Sequence, residues 1–148
     1  MHFVELSCTT PASLPGRRVT VTMQDMGMMG GVAPAGSRML LTAAPAGSAA
    51  GRVTFIAANR GWRIHELVVL PLPPGAAAGE RRVRSDGTVD EAGSLAETSA
   101  GCAAGTGDGI GSGQVGWVTV SLPTGRYELV CNERNHYVDG MHQEFVVT

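Results

Sequence analysis

The sequence lacks several features that define common classes of protein. It contains no run of about 18 apolar residues, the length that a membrane-spanning helix requires. Positive charge is scarce, with 11 Lys and Arg against 13 Asp and Glu and a net charge of −2, so a nucleic-acid-binding surface is not expected. Residues 1–8 lack the basic start and the long apolar stretch of a secretory signal peptide, and we therefore expect a mature domain.

Helix signals are also missing, and the chain carries the patterns of β-strands instead. No segment combines the apolar spacing of an amphipathic helix with capping residues. Several short segments alternate apolar and polar residues, and one apolar run between Gly61 and Pro71 predicts a strand that is buried on both faces. The predicted strands, about seven, lie at 19–23, 39–42, 53–57, 65–70, 117–122, 127–130 and 144–147. Short strands separated by Gly and Pro turns predict an all-β sandwich or barrel.

One long segment, 73–116, interrupts this pattern. It is rich in Gly, Ala and Ser and shows no sustained period. Within it, residues 80–84 are typical of one short strand, and residues 94–101 are typical of one or two helical turns. A loop of this length inside a domain is usually functional or disordered. The total length of 148 residues fits one domain with a substantial core.

The C-terminal region contains three metal-binding residue types close together in sequence. Cys131, His136 and Met141 lie within eleven residues, directly after a predicted strand, and His65 begins the most apolar predicted strand. One thiolate, two imidazoles and a weakly bound thioether form the trigonal copper site of electron-transfer proteins. The set therefore predicts one copper ion bound by His65, Cys131 and His136, with Met141 as a weaker fourth ligand.

Each of these residues alone has a simpler interpretation. A buried cysteine or methionine commonly acts as an apolar core residue, and a buried histidine is more often hydrogen-bonded than bound to metal. Zinc is the rival metal, because one Cys, two His and an open position also suit a catalytic zinc site. The thioether favours copper, since soft sulfur ligands select Cu(I). No nucleophile or acid–base pair indicates hydrolytic catalysis, and we predict that the protein is not an enzyme.

The sequence resembles the cupredoxins (blue copper proteins), most of all their rusticyanin and sulfocyanin branch, through the spacing Cys131-x4-His136-x4-Met141. Further similarity lies in residues 59–61, 86–110 and 123–131. The resemblance covers residues 19–148 and implies a Greek-key β-sandwich that binds copper, with a long Gly-rich insertion before its C-terminal strands. Residues 1–18 would form an N-terminal segment that precedes this single domain.

The resemblance implies a one-electron carrier with one copper ion per chain, which alternates between Cu(I) and Cu(II). Its partners would be redox proteins, including a membrane-associated acceptor, and the chain would act as a monomer that passes electrons through the edge of His136. The alternative is an extracytoplasmic copper-binding protein of copper resistance or trafficking. Some copper-resistance cupredoxins show the same order of a His-Glu strand and a Cys-x4-His-x4-Met loop.

Two cysteines remain once Cys131 is assigned to the metal. Cys8 and Cys102 either form a disulfide or are two unrelated free thiols. A disulfide would indicate an oxidising compartment, so the periplasm or the extracellular space is the predicted location. The pairing would also attach the long Gly-rich segment to the start of the chain.

Two departures from the cupredoxin pattern leave details of the site open. The pattern has Pro-Gly before the second His, and Arg134-Asn135 stands there in this chain. It also has Asn or Ser after the first His, as a tie between the two ligand loops, whereas Glu66 follows His65 here. The tie could come from Glu66, Asn59 or Asn132.

The segment 23–31 contains four methionines. Met26, Met28 and Met29 either pack as apolar residues, form a soft docking patch at the copper end, or bind a second Cu(I). His142 is predicted to point to the opposite face from Met141 and not to bind metal.

Overall fold

Two five-stranded β-sheets form the part of the chain that the computed structural model describes, residues 4–25 and 34–148. The strands are β1 (Arg17–Gln24), β2 (Leu40–Ala44), β3 (Gly47–Ser48), β4 (Gly51–Asn59), β5 (Leu67–Pro71), β6 (Ala96–Thr98), β7 (Ala103–Ala104), β8 (Val115–Leu122), β9 (Gly125–Val130) and β10 (His142–Val147). No helix occurs within these described ranges, and so none that could span a membrane. The predicted all-β sandwich is confirmed, with more strands than the sequence indicated.

The strand order places the ends of several strands at one end of the sandwich. The first sheet has the order β2-β1-β4-β8-β7, and the second has β3-β10-β9-β5-β6. Strands β1 and β4 are parallel, with Arg17 opposite Val53 and Met23 opposite Asn59. Both therefore begin at one end of the sandwich and finish at the other. We call the end where they finish the site end.

The main core lies between the two sheets, as the alternating pattern predicts. Val19, Val21 and Met23 of β1 are fully buried, while the residues between them are exposed or partly buried. Phe55 of β4 and Phe145 of β10 meet edge to face across the core, with their ring centroids 5.2 Å apart. Such aromatic pairs contribute roughly 1 kcal/mol beyond the area they bury. The sequence period thus decides which face of each strand enters the core.

Strand β5 is buried on both faces, which explains its unbroken apolar sequence. Leu67 and Val69 lie in the core between the sheets, and Val68 and Leu70 lie in a second cluster on the other face. Val89 from the long Gly-rich segment completes that second cluster. The segment therefore covers the outer face of the second sheet.

Two expectations for the long segment are wrong. Residues 94–101 contain β6 rather than helical turns, because β6 pairs antiparallel with β5 and satisfies the backbone groups of its open edge. Residues 80–84 contain no strand. Arg81 there forms an ion pair with Glu128, a fully buried residue of β9, and the Nε–Oε1 distance is 2.6 Å. A buried carboxylate requires such a partner, and the segment supplies it.

The residues before β1 pack on the outer face of the first sheet. Leu6, Cys8 and Leu14 contact a cluster of buried side chains from β4 and β8. The Ser7 N–H donates to the Gly113 carbonyl oxygen at 2.7 Å. The division between an N-terminal segment and a domain at residue 18 stays a prediction.

A disulfide connects this N-terminal stretch to the Gly-rich segment. Cys8 and Cys102 are bonded, their α-carbons are 5.9 Å apart, and they are separated by 94 positions in sequence. Of the two alternatives that the sequence left open, the disulfide is the one present. It joins the start of the chain to the loop that carries Ile110, a residue that contacts one of the candidate ligands.

Removal of this disulfide should lower the free energy of unfolding substantially. For the metal-free double variant Cys8→Ser/Cys102→Ser we expect a loss of roughly 4 kcal/mol, because so long a cross-link restricts the unfolded chain. Urea unfolding of oxidised wild-type protein and of the variant measures the difference. Reduced wild-type protein should behave like the variant, and equal stability of all three would show that the cross-link contributes nothing.

Candidate metal centre

Three of the predicted ligands meet at the site end of the sandwich. His65 follows β4 after a short loop, Cys131 directly follows β9, and His136 lies in the loop that leads to β10. His65 and Cys131 are fully buried, and 8% of His136 is exposed. The structure brings together side chains that are far apart in sequence, in a group suited to hold a metal ion.

The three donor atoms form a small triangle. The Cys131 Sγ is 3.6 Å from His65 Nδ1 and 3.5 Å from His136 Nδ1. The two Nδ1 atoms are 3.1 Å apart. A point equidistant from all three lies roughly 2 Å from each, close to the usual bond lengths from a metal to imidazole nitrogen and thiolate sulfur. One metal ion therefore fits among these atoms with little rearrangement.

His65 is held by backbone pairing just before a strand. Its N–H donates to the Ile110 carbonyl at 3.1 Å, and the Ile110 N–H donates back at 2.8 Å. The Asn59 side chain fixes the preceding loop, since its amide donates to the carbonyls of Arg63 and Ile110 at 2.7 and 2.8 Å. Strand β5 starts at Leu67, two residues later than predicted. His65 thus sits in a loop that is hydrogen-bonded on both sides.

The other ring nitrogen of His65 contacts a carboxylate that the sequence did not reveal. The Asp25 Oδ2 lies 2.6 Å from His65 Nε2, and both side chains are fully buried. Asp25 also accepts the N–H groups of Trp62 and Arg63, each at 2.8 Å. Burial alone would raise the Asp25 pKa, but the hydrogen bonds from His65 and from the two N–H groups lower it to about 2. The ionised carboxylate fixes the ring so that Nδ1 faces Cys131.

The Cys131 sulfur lies against the backbone of the other ligand segment. The Glu66 N–H donates to Cys131 Sγ at 3.4 Å. This N–H group ties the two segments together, and the Glu66 carboxylate also accepts a hydrogen bond from the Asn132 backbone. Burial raises the pKa of the Cys131 thiol to about 12, although this N–H group opposes the shift. The metal-free site thus holds a protonated thiol, and a metal must displace that proton.

The side chains of Asn132 and Glu66 have other surroundings. Asn132 accepts the Val89 N–H at 2.8 Å and donates to the Val89 carbonyl at 3.0 Å, which joins the ligand loop to the Gly-rich segment. Burial, together with the nearby charges of Glu97 and Glu133, raises the Glu66 pKa to about 7. Of the three candidate ties, only the Glu66 backbone reaches the cysteine ligand.

The loop after Cys131 is closed by its own backbone. Asn135 has a φ of 67°, a left-handed conformation that Asn tolerates better than most residues. It can therefore stand where the cupredoxin pattern has a glycine. The Met141 N–H donates to the His136 carbonyl at 3.0 Å, and the Cys131 N–H donates to the Met141 carbonyl at 3.2 Å. These bonds hold His136 over the end of β9.

His136 lies nearest to solvent among the three. Burial, followed by the neighbouring His65, lowers the His136 pKa to about 4, so its ring is neutral at neutral pH and can bind a metal. A shallow depression of about 380 Å³ adjoins the ring, lined by Arg63, Ile64, Glu133 and Arg134. At this depression the His136 side of the site comes close to the surface.

The remaining sequence candidates lie in different places. Met141 is fully buried in the same cluster of core side chains as Cys131, and its role as a ligand stays a prediction. The ring of His142 packs against Tyr137 with a centroid distance of 5.0 Å, away from the donor triangle. Met26, Met28 and Met29 lie outside the described residues.

The donor set has definite chemical consequences. A thiolate and two imidazoles suit copper and zinc, and no carboxylate belongs to this group within the described ranges. A catalytic zinc site keeps a position open for water and substrate. Here two of the three donors are fully buried, so the arrangement favours a bound ion that is shielded from solvent.

Comparison with known proteins supports the fold. No protein-family model matches the chain, and no curated protein matches its sequence. Among solved structures, auracyanin from Roseiflexus castenholzii is 13% identical with a TM-score of 0.57, covering 90% of this chain and 98% of its own. Rusticyanin from Thiobacillus ferrooxidans is 17% identical with a TM-score of 0.52, covering 90% and 79%. Auracyanin A from Chloroflexus aurantiacus, described as a blue copper protein, is 16% identical with a TM-score of 0.51, covering 88% and 99%. The resemblance to the cupredoxins is confirmed at the level of the fold.

Proposed function

We propose that this protein is a one-electron carrier that holds a single copper ion between His65, Cys131 and His136, with Met141 as a weak axial ligand. The observation that carries the proposal is the buried triangle of one cysteine sulfur and two histidine nitrogens at the end of a cupredoxin sandwich. Bound copper would alternate between Cu(I) and Cu(II) and so supply the one-electron chemistry.

The protein would keep the ligands in one arrangement for both oxidation states. A separate contact holds each of them: Asp25 holds His65, the Glu66 N–H holds the Cys131 sulfur, and the Met141 N–H holds the His136 backbone. Because these contacts come from different elements of a packed sandwich, a change of charge at the site requires little movement. A small rearrangement favours rapid electron transfer.

Electrons would enter and leave at the His136 side. This ligand adjoins a surface depression, and three of the most exposed large apolar side chains lie on the same two ligand loops: Trp62, Ile64 and Val138, which are 45%, 51% and 62% exposed. An apolar surface beside a redox centre suits transient contact with a protein partner. The expected partners are redox proteins, including a membrane-associated acceptor.

The disulfide supports a location outside the cytoplasm. Disulfides persist in oxidising compartments and are rare in the cytosol. We therefore place this electron carrier in the periplasm or the extracellular space.

Metal loading and voltammetry test the proposed function. Copper-loaded protein should contain one ion per chain, show an intense thiolate-to-copper absorption band in the visible range, and give a reversible one-electron wave. Copper that binds without this band, or that passes to a competing chelator without reversible redox behaviour, would instead favour a role in copper resistance or trafficking.

Copper binding should depend on pH through the cysteine. The Cys131 pKa is about 12 in the metal-free protein, so the thiol is protonated throughout the range from about pH 7.5 to about pH 9. Each bound Cu(I) displaces one proton, and the affinity should rise about tenfold per pH unit across that range. Competition with a chelator of known protonation behaviour measures this slope. An affinity that does not change with pH would show that the thiol does not bind the ion.

Asp25 should lower the reduction potential of the bound copper. Its negative charge on His65 Nε2 makes the imidazole a stronger donor and so favours Cu(II). Asp25→Asn should raise the potential by about 60–120 mV, equivalent to a 10- to 100-fold change in the ratio of the two affinities. Voltammetry measures the shift.

A charge-matched variant separates this contact from general electrostatics. Asp139→Asn removes one carboxylate from the ligand loop without touching the contact between Asp25 and His65, and it should shift the potential less. Equal shifts in the two variants would contradict a specific role for Asp25.

A further inference from the structure

A cleft lined by arginine side chains lies at the end of the sandwich opposite the site end. Strands β1 and β4 begin there, and the cleft has a volume of about 770 Å³. Arg17, Arg18 and Arg52 line it, together with residues of the segment 45–50, which includes β3. We call this feature the arginine cleft.

The three guanidinium groups of the arginine cleft have no carboxylate partner among residues 4–25 and 34–148. Arg18 donates to the carbonyl oxygens of Pro11 and Ala12, at 2.8 and 3.2 Å. Within the described ranges, neither Arg17 nor Arg52 forms an ion pair, and the cleft lining contains no Asp or Glu. All three arginines are exposed. Like charges around one cleft repel one another, so a bound anion would stabilise the arrangement.

The packing of the backbone brings the three arginine positions to the same end of the sandwich. Strand β1 pairs in parallel with β4, which places the first two arginines beside the start of β4. At the turn before β1, Gly16 has a φ of 74°, and a Cβ added there would lie 2.2 Å from the Arg52 carbonyl oxygen. Only glycine permits this approach. The backbone that carries Arg17 therefore lies directly against the backbone that carries Arg52.

The charge of the whole chain is distributed unevenly. Residues 6–65 contain six arginines and a single acidic residue, Asp25, which is buried against His65. Residues 66–148 contain five arginines and eleven acidic residues. The net charge of −2 would repel an anionic surface. Attraction to such a surface therefore requires a local positive region, and that region would turn towards the surface and orient the molecule.

We propose that the arginine cleft binds the phosphate of an anionic phospholipid headgroup and docks the protein on a membrane surface. Guanidinium groups bind phosphate through paired, charge-assisted hydrogen bonds. The chain extends roughly 26 Å from Arg17, where β1 begins, to Asp25, directly after β1, at about 3.3 Å per residue. A protein docked through the cleft therefore holds its metal centre away from the lipid, open to a partner. Free inorganic phosphate offers the same chemistry in solution.

Vesicle binding by matched double variants tests this proposal. Wild-type protein should sediment with phosphatidylcholine vesicles that contain phosphatidylglycerol, more weakly as salt increases, and should not sediment with pure phosphatidylcholine. An arginine near an anionic surface strengthens binding about fivefold, so Arg17→Gln/Arg52→Gln should bind roughly 30-fold more weakly. The control Arg38→Gln/Arg82→Gln changes the net charge equally at two exposed positions outside the cleft, and it should bind nearly as well as wild type.

Three outcomes would overturn the membrane assignment. The first is equal sedimentation of wild-type protein with both kinds of vesicle, or with neither. The second is an equal loss of binding in the two double variants, which would indicate general charge rather than the cleft. The third is calorimetric binding of inorganic phosphate that requires Arg17 and Arg52 while vesicles are not bound, which would assign the cleft to a free phosphate ligand. Thermal unfolding of each variant shows whether the fold is kept, and none of these measurements requires copper.

Discussion

Cys131→Ser should abolish the visible absorption of the copper-loaded protein completely. The band arises from charge transfer between a thiolate and Cu(II), and Cys131 is the free cysteine within the described residues. A serine hydroxyl is a hard ligand and cannot supply that transition. The substitution changes one atom in a fully buried position, so the sandwich should still fold. Absorption spectra of wild-type and variant protein, each with its copper content measured, test the expectation.

A cysteine control makes this experiment specific. Cys8→Ser/Cys102→Ser removes the two disulfide cysteines, which lie outside the donor triangle, and it should keep the band at full intensity. If Cys131→Ser retains the band, or if the double variant loses it while folded, Cys131 does not form the thiolate bond and the proposed site is wrong.

The second large effect separates a primary ligand from a weak one. His65→Ala removes one corner of the donor triangle and leaves the buried Asp25 without its partner, so copper should be lost or should bind far more weakly. Added imidazole should restore part of the binding if it can enter the space. Met141→Leu should keep both the copper and the colour, because an axial thioether is long and weak. Its potential should rise, since an apolar residue favours Cu(I).

Copper content and voltammetry on the same preparations decide between the two roles. Met141→Gln offers an oxygen donor at the same position and should lower the potential, opposite in sign to Met141→Leu. Loss of copper in Met141→Leu combined with full retention in His65→Ala would reverse the roles assigned to these residues.

The periodic part of the sequence predicted the sheets well, and the unpatterned part predicted little. Alternation of apolar and polar residues fixes which side chains of β1 enter the core. The apolar run of β5 correctly indicated a strand buried on both faces, and the structure shows a second layer that covers its outer face. Strand β6 has only three residues and no such pattern. It forms because β5 presents an open edge, which is a property of the assembled sheet and not of residues 94–101.

The candidate site was predictable where its chemistry lies close together in sequence. Cys131 and His136 share one loop, and His65 begins the most apolar predicted strand. Asp25 was missed because it lies 40 positions before His65 and meets it only when β1 and β4 pair in parallel. A weak signal did exist, since Asp25 is the only acidic residue between positions 6 and 65 and directly follows an alternating strand.

The burial of Cys131 also lowers the chemical reactivity of its thiol in the metal-free protein. Oxidants and disulfide exchange attack the thiolate form of cysteine. Because burial raises its pKa to about 12, the Cys131 thiol stays protonated at neutral pH, whereas a few per cent of an ordinary exposed cysteine is ionised. The same fold that joins Cys8 to Cys102 therefore keeps Cys131 inert towards that chemistry, so the metal-free protein would keep its third thiol reduced under oxidising conditions.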